Sequence, residues 1–333
     1  MTDLPTKTII PAEPSKPVSP EQRIQELEVE LDTVKTERDA AVAERDEARA
    51  ELAKYATWVE PGHFYSPIPD LADVRERLHS IWGWAQFQVE GIDLDLPGQV
   101  ALGHQFSLSY RDDYFHRNET EGRRYYWENE YFPFGDAFVT DRFVREVSPA
   151  RIVEIGSGYS SAVMLDARDD LIREGKPAPR LDFVEPYPDR LNGLLRHSDS
   201  ENCKVWVHPV QDVPMSLFDE LEKDDLLFID SSHVMKTGSD LWWLFFHVLP
   251  RLKSGVWVFV HDIPWPFEYP IEWVEEGRAW NEAYTLRAFL MYNDQFKVRF
   301  WPDLALRLNE QDSRMRVPML VEKPGVGIWL QRT

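Results

Sequence analysis

Four residues concentrate chemistry in this 333-residue chain: Asp230 and His233 in Phe228-Ile-Asp-Ser-Ser-His-Val234, and His261 and Asp262 in Val260-His-Asp-Ile263. Each pair follows a short apolar run that reads as a strand, so each lies at a strand's carboxyl end. Adjacent parallel strands would bring the two pairs together. An unperturbed imidazole titrates near neutrality, which makes His233 a candidate proton acceptor. Imidazoles and carboxylates also build metal sites, iron sites among them. The competing reading is structural, since a strand-end histidine more often makes an ordinary hydrogen bond than a catalytic one.

A second constellation lies upstream. Val153-Glu-Ile-Gly-Ser-Gly-Tyr-Ser-Ser161 reads as a strand, a glycine turn and a helix start. Gly156 and Gly158 would let the backbone turn tightly and approach a ligand around Ser157, while Ser160 or Ser161 can cap the helix. Glu185 ends the next strand, where a carboxylate can accept both hydroxyl hydrogens of a ribose. Gln211 and Asp212 follow the third, placed to read an adenine edge. A nicotinamide dinucleotide fits less well. Ser161 replaces the third glycine of its fingerprint, and Glu154 beside the loop would repel a pyrophosphate. A ligand with a cationic amino-acid end suits Glu154 better. The expected cofactor set is therefore Glu154, Gly156, Ser157, Gly158, Ser161, Glu185, Gln211, Asp212 and Asp230, around an adenosine-type methyl donor.

These residues need a scaffold that gathers strand ends. From Pro149 onward short apolar strands alternate with helices, the pattern of a mostly parallel sheet covered on both faces. Strands are expected at Arg151–Ile155, Leu181–Glu185, Lys204–His208, Asp225–Asp230, Gly255–Val260, Phe296–Trp301 and Gly327–Gln331. Helices are expected through Ile172 and over Ser239–Arg251. No clear helix separates the last two strands, so they are read as an antiparallel pair at the sheet edge. The fold class is α/β, a doubly wound seven-stranded Rossmann-like sheet with an antiparallel edge strand. Ligands in such sheets bind at the carboxyl ends of the strands, where strand order reverses.

Upstream the chain divides by texture. Residues 1–20 are proline-rich and read as disordered. Residues 21–56 lack Gly and Pro and read as a long charged helix. Ile24, Leu27, Leu31 and Val34 keep an a/d spacing, which Ala41, Ala48, Leu52 and Tyr55 continue more weakly, with Arg38 and Arg45 interrupting. A coiled coil joining copies of the chain and a single helix held by its own ion pairs both remain open. Residues 57–147 form an aromatic, charged cap or substrate region, with helices near Leu71–Phe87 and Asp136–Val147. Residues 148–333 form the main domain. The Arg123–Trp127 stretch either completes a pocket or makes a surface helix turn. The aromatics of Pro264–Trp273 either wall an acceptor pocket or pack on Trp280 and Tyr284.

The formal net charge of −21 disfavours nucleic acid and anionic membrane surfaces as partners. No apolar run is long enough to span a bilayer. The single cysteine, Cys203, excludes an internal disulfide and fits a reducing, cytoplasmic setting; it reads as a buried strand-edge residue.

From about Trp58 to the C-terminus the chain resembles the class I S-adenosylmethionine-dependent methyltransferases, in particular a bacterial group associated with glycan and secondary-metabolite enzymes. The resemblance rests on Glu154–Ser161, Phe228–Val234 with Gly238-Ser-Asp240, Val260–Ile263 and Phe267-Glu-Tyr-Pro270. It implies S-adenosylmethionine as cofactor, with the methionine moiety on the Gly156/Gly158 loop and the ribose on Glu185. The strand-end cluster looks like that of the metal-dependent catechol-type methyltransferases. Their three metal ligands match Asp230, His261 and Asp262, and their lysine base lies close to the place of His233. His261 stands where those enzymes have a carboxylate, which shifts the expected ion from Mg toward Mn, Fe or Zn. The implied activity is O-methylation of a small polyhydroxylated acceptor by His233, Asp230 and His261. A metal-dependent hydroxylase or hydrolase and a non-catalytic coiled-coil scaffold are the alternatives.

Overall fold

The computed structural model describes residues 19–53, 58–83, 89–111 and 114–333, with side chains in the first helix described up to residue 47. The expected disorder of residues 1–20 therefore falls almost wholly outside the described residues. The chain forms two compact units, Met1–Pro67 and Ile68–Thr333.

In the first unit the helix Pro20–Ala53 begins at a reciprocal cap. Gln22 N donates to Ser19 Oγ and Ser19 N donates to the Gln22 side chain, both at 3.2 Å, with Pro20 as the first helical residue. Ile24, Leu27, Leu31 and Val34 are all exposed.

In the second unit seven strands form one sheet: β1 Arg151–Ile155, β2 Arg180–Val184, β3 Cys203–Trp206, β4 Leu226–Ile229, β5 Trp257–Val260, β6 Phe296–Phe300 and β7 Ile328–Arg332. Their order is β3-β2-β1-β4-β5-β7-β6. The first five pair in parallel, and β7 runs antiparallel to both β5 and β6. The reversed strand thus lies one in from the rim, and β6 forms the edge. β1 and β4 are buried along most of their length because both sheet faces are covered. Strand order reverses between β1 and β4, where Gly156 and Asp230 meet.

Three details depart from the sequence reading. Helices Pro302–Leu308, Glu310–Arg316 and Met319–Glu322 lie between β6 and β7, where none was expected. They are short and break at Asn309 and at Val317-Pro318, so no long apolar stripe announces them. The 71–87 helix is two pieces, Leu71–Glu76 and Leu78–Trp82, with residues 84–88 outside the described set. The helix Leu96–Leu108 was not anticipated. Its Asp95 cap, accepting from Gly98 N with Pro97 in the first turn, is the signal that could have found it.

The Arg123–Trp127 stretch is neither a helix nor on the surface. Arg124 is buried and forms ion pairs with Asp166 (3.1 Å), Asp169 (2.7 Å) and Asp199 (3.0 Å). It ties this segment to the helix Tyr159–Arg173, and its role is structural. Cys203 is half-buried on β3, and burial pushes its thiol up to about 11, so it is no nucleophile.

Candidate functional site

The loop after β1 is shaped by its neighbours. Gly156 has φ +80°, and a Cβ there would stand 1.7 Å from the Asp230 carbonyl oxygen. Only glycine lets the end of β1 cross the end of β4 so closely. Gly158 differs from its expected role. Its backbone is extended, and a Cβ would meet only the flexible Arg190 side chain at 3.3 Å.

Glu154 explains why the helix after the loop starts where it does. Its carboxylate oxygens accept from Ser160 Oγ and Ser161 Oγ, each at 2.5 Å, and Ser161 Oγ accepts from Gly158 N at 3.1 Å. Glu154 is wholly buried, and burial, only partly offset by the serine hydrogen bonds, pushes its carboxyl up to about 8. It supports the loop from behind through Ser160 and Ser161.

Glu185 lies half-buried just past β2, accepting from Ser157 N (3.0 Å) and Tyr187 N (2.8 Å). Gln211, on the turn Val210–Asp212 after β3, donates to the Gly238 carbonyl at 2.8 Å. Gly156, Glu185, Gln211 and Asp230 line one cleft of about 420 Å³, together with Ser231 and Asp240. Asp212 is exposed and outside it; Ser157 and Gly158 belong to the loop behind its wall. Ser231 Oγ, on the lining, is buried without a hydrogen-bond partner among the described residues. It is a polar atom that a bound polar ligand would satisfy.

The second constellation adjoins the first through Asp230. β4 and β5 are hydrogen-bonded neighbours, so the residues that follow them meet. Asp230 Oδ1 lies 3.3 Å from His261 Nδ1 and 3.5 Å from His233 Nε2. Asp262 lies 3.6 Å from His261 Nδ1 and 3.7 Å from His233 Nε2. The two carboxylates and two imidazoles therefore alternate around one point. His233 and Asp262 both have left-handed backbones, φ +58° and +53°, a strain of roughly 1–2 kcal/mol each that the surrounding structure must hold in place.

Behind each imidazole is a carboxylate the sequence reading missed. Glu282, buried at the start of the helix Glu282–Leu290, lies 2.8 Å from His233 Nδ1. Asp136, buried in the first turn of the helix Phe134–Glu146, lies 3.4 Å from His261 Nε2. Asp136 also accepts from Val326 N (2.9 Å) and Gly327 N (3.0 Å), fixing the approach to β7. Glu282 was legible in part, because it shares a helix face with Leu286 and Leu290 and so falls on the buried side. Nothing in the spacing links Asp136 to a histidine so far along the chain.

This setting changes the expected chemistry of the histidines. Burial opposes a charge on His233, but hydrogen bonds to Asp230 and Glu282 push it up to about 10. Burial likewise opposes charge on His261, and the charges of Asp262 and Asp230 lift it well above its ordinary value. Asp230 feels desolvation too, yet His261 and His233 hold it well below the usual carboxylate range. Asp262 is raised by burial. In this protein state His233 is an imidazolium at neutral pH, not the free base its ordinary pKa suggested.

The aromatic loop packs mostly inward. Trp265 and Phe267 rest on Trp301 with ring centres 5.1 and 4.5 Å apart, and Tyr269 meets Tyr284 edge-on at 5.6 Å. Trp280 lies over the His233 ring at 4.3 Å, so packing and site converge there.

Metal ligation can be judged from the donor set. Among the described residues no three His, Cys, Asp or Glu side chains already stand as a ready metal-holding group. The donor chemistry nevertheless suits a divalent ion. Most of the ring's carboxylate–imidazole separations exceed hydrogen-bond length; Glu282 meets the outer nitrogen of His233 at hydrogen-bond distance, whereas Asp136 stands 3.4 Å from His261 Nε2, which has no hydrogen-bond partner among the described residues.

Residues 153–263 match a family model described as a methyltransferase domain. The chain belongs to one family with an uncharacterized protein of Archaeoglobus fulgidus, 35% identical over 170 residues that span 49% of this chain and 74% of that protein. Among solved structures it is similar to an apo-structure of CmcI (15% identity, TM-score 0.38, 70% of this chain and 95% of that one). It is also similar to an SAH-bound methyltransferase of Podospora anserina, PaMTH1 (14% identity, TM-score 0.36, 80% and 99%). Among the described residues no helix is long and apolar enough to cross a membrane.

Proposed function

We propose that the chain transfers the methyl group of S-adenosylmethionine to a hydroxyl oxygen of a small polyhydroxylated acceptor, with a divalent metal at the strand-end cluster. The observation that carries this reading is the position of Asp230, which lines the donor cleft and also belongs to the carboxylate–imidazole ring. Methyl transfer from a sulfonium is an in-line displacement, so catalysis consists of aligning the oxygen and removing its proton.

The donor's ribose would lie on Glu185, its amino-acid end over the loop at Gly156–Gly158, and its adenine against Gln211. Asp230, Asp262 and His261 would hold the metal, which when bound would lower the acceptor hydroxyl's pKa and orient it. In its neutral form His233, backed by Glu282, would receive the hydroxyl proton at Nε2. Asp136 keeps the His261 ring oriented from behind. Trp280 offers the acceptor a flat apolar wall beside His233.

The test separates binding from turnover. Calorimetric titration with S-adenosylmethionine and S-adenosylhomocysteine, with and without EDTA, should give micromolar donor binding that survives chelation. Asp262→Ala should keep that binding while abolishing methylation of a panel of sugars and glycosylated metabolites. Full activity in Asp262→Ala would overturn the role of the cluster, and failure to bind either ligand would overturn the donor.

A further inference from the structure

The helix Pro20–Ala53 runs 34 residues, about 50 Å, and its apolar residues are exposed in the chain by itself. A long helix that stands alone in water is usually laced with ion pairs three or four residues apart. Among the described residues it has one such pair, Arg23–Glu26, whereas Arg38–Asp39 and Arg45–Asp46 join neighbours in sequence. The described part of the helix shows little of that lacing, and it carries an apolar seam. Ile24, Leu27, Leu31 and Val34 repeat at intervals of three and four and are 47–59% exposed. That 3.5-residue period fits a left-handed supercoil with another helix.

The charges on either side identify the other helix and its direction. With Ile24 and Leu31 at position a, Leu27 and Val34 fall at d, and Arg38 and Arg45 fall at a. In a parallel pair each a side chain lies beside the preceding g residue of its neighbour, and here those residues are Glu37 and Glu44. Each g residue also meets the following e residue, which matches Arg23 with Glu28 and Glu30 with Lys35. In an antiparallel pair g meets g, and Glu30, Glu37 and Glu44 would confront one another. We infer that this helix forms a parallel, in-register, two-stranded coiled coil with a second copy of the chain. Arg38 and Arg45 reach Glu37 and Glu44 of the second copy, and these polar a positions set the register at some expense in stability.

The experiment is sedimentation of the full chain and three variants. The native chain should run at twice its 39.0 kDa mass. The double variant Glu37→Lys, Glu44→Lys should fall to one chain mass. Adding Arg38→Glu and Arg45→Glu to it should restore the dimer, which a merely unfolded helix could not do. Leu27→Cys in a Cys203→Ser background should oxidise to a covalent dimer, because like d positions face each other only in the parallel register. A monomeric native chain would overturn the inference. So would a dimer indifferent to the lysine substitutions, or one in which Leu27→Cys fails to cross-link.

Discussion

Replacing Glu154 by Gln isolates one buried carboxyl whose effect on stability can be worked out in advance. The side chain has no exposed surface, and burial pushes it from 4.5 to about 8. Between those values the folded chain keeps a proton that the unfolded chain has released. Stability from this group is therefore full below about pH 4.5, declines as pH rises, and levels off above about 8. Each pH unit in that window corresponds to about 1.4 kcal/mol, so the loss at pH 7 is roughly 3 kcal/mol and the full loss roughly 5 kcal/mol. Glutamine keeps the shape, accepts from Ser161 Oγ and donates to Ser160 Oγ, but carries no proton to lose. Urea unfolding followed by tryptophan fluorescence at pH 5, 6, 7 and 8 measures the difference between the two proteins. They should be within about 1 kcal/mol at pH 5 and diverge steadily in favour of Glu154→Gln. A constant difference across that range would refute the reasoning, because other titrating groups cancel in the comparison.

Gly156→Ala should abolish donor binding in calorimetry, since its Cβ would stand 1.7 Å from the Asp230 carbonyl oxygen and φ is +80°. Donor affinity equal to that of the native chain would show that the β1–β4 crossing is looser than described. Glu282→Gln should lower His233 from about 10 toward its ordinary value, read by NMR titration of the ring proton in the presence of EDTA. An unchanged titration would mean that Glu282 does not support the imidazolium. Arg124→Leu leaves Asp166, Asp169 and Asp199 without their shared partner and should cost about 3–5 kcal/mol of stability. A smaller loss in urea would indicate that Arg168, 3.6 Å from Asp199, takes over.

What the sequence discloses depends on whether the signal is local. Each of the seven strands is a short apolar run, and each was legible to within two or three residues. Asp230, His233, His261 and Asp262 were legible as a cluster because strand ends gather by topology, and β4 and β5 are neighbours in the sheet. Gly156 and Gly158 look equivalent in sequence. Only the crossing of β1 over Asp230 separates them, and that contact spans residues far apart in the chain.

The same reasoning explains why the histidines were read as ordinary bases. A pKa belongs to a surrounding, and the surrounding of His233 is Asp230, Asp262 and Glu282, delivered by three separate elements. From the motif alone the ring had one carboxylate neighbour, three residues away. With three, the His233 imidazole is pushed up to about 10, and the charges of Asp262 and Asp230 likewise raise His261 above its ordinary value. Four acidic side chains, Asp230, Asp262, Glu282 and Asp136, thus face two imidazoles in a largely buried site. A further positive charge is what such a cluster attracts, and the two candidates differ in consequence. The donor's sulfonium would be drawn to Asp230 from the cleft side and leave both imidazoles protonated. A divalent ion between the carboxylates would expel those protons and make His233 a base. The proton count on His233 and His261, read by NMR with the donor alone and then with added metal, therefore distinguishes a site that only orients the methyl group from one that also activates the acceptor.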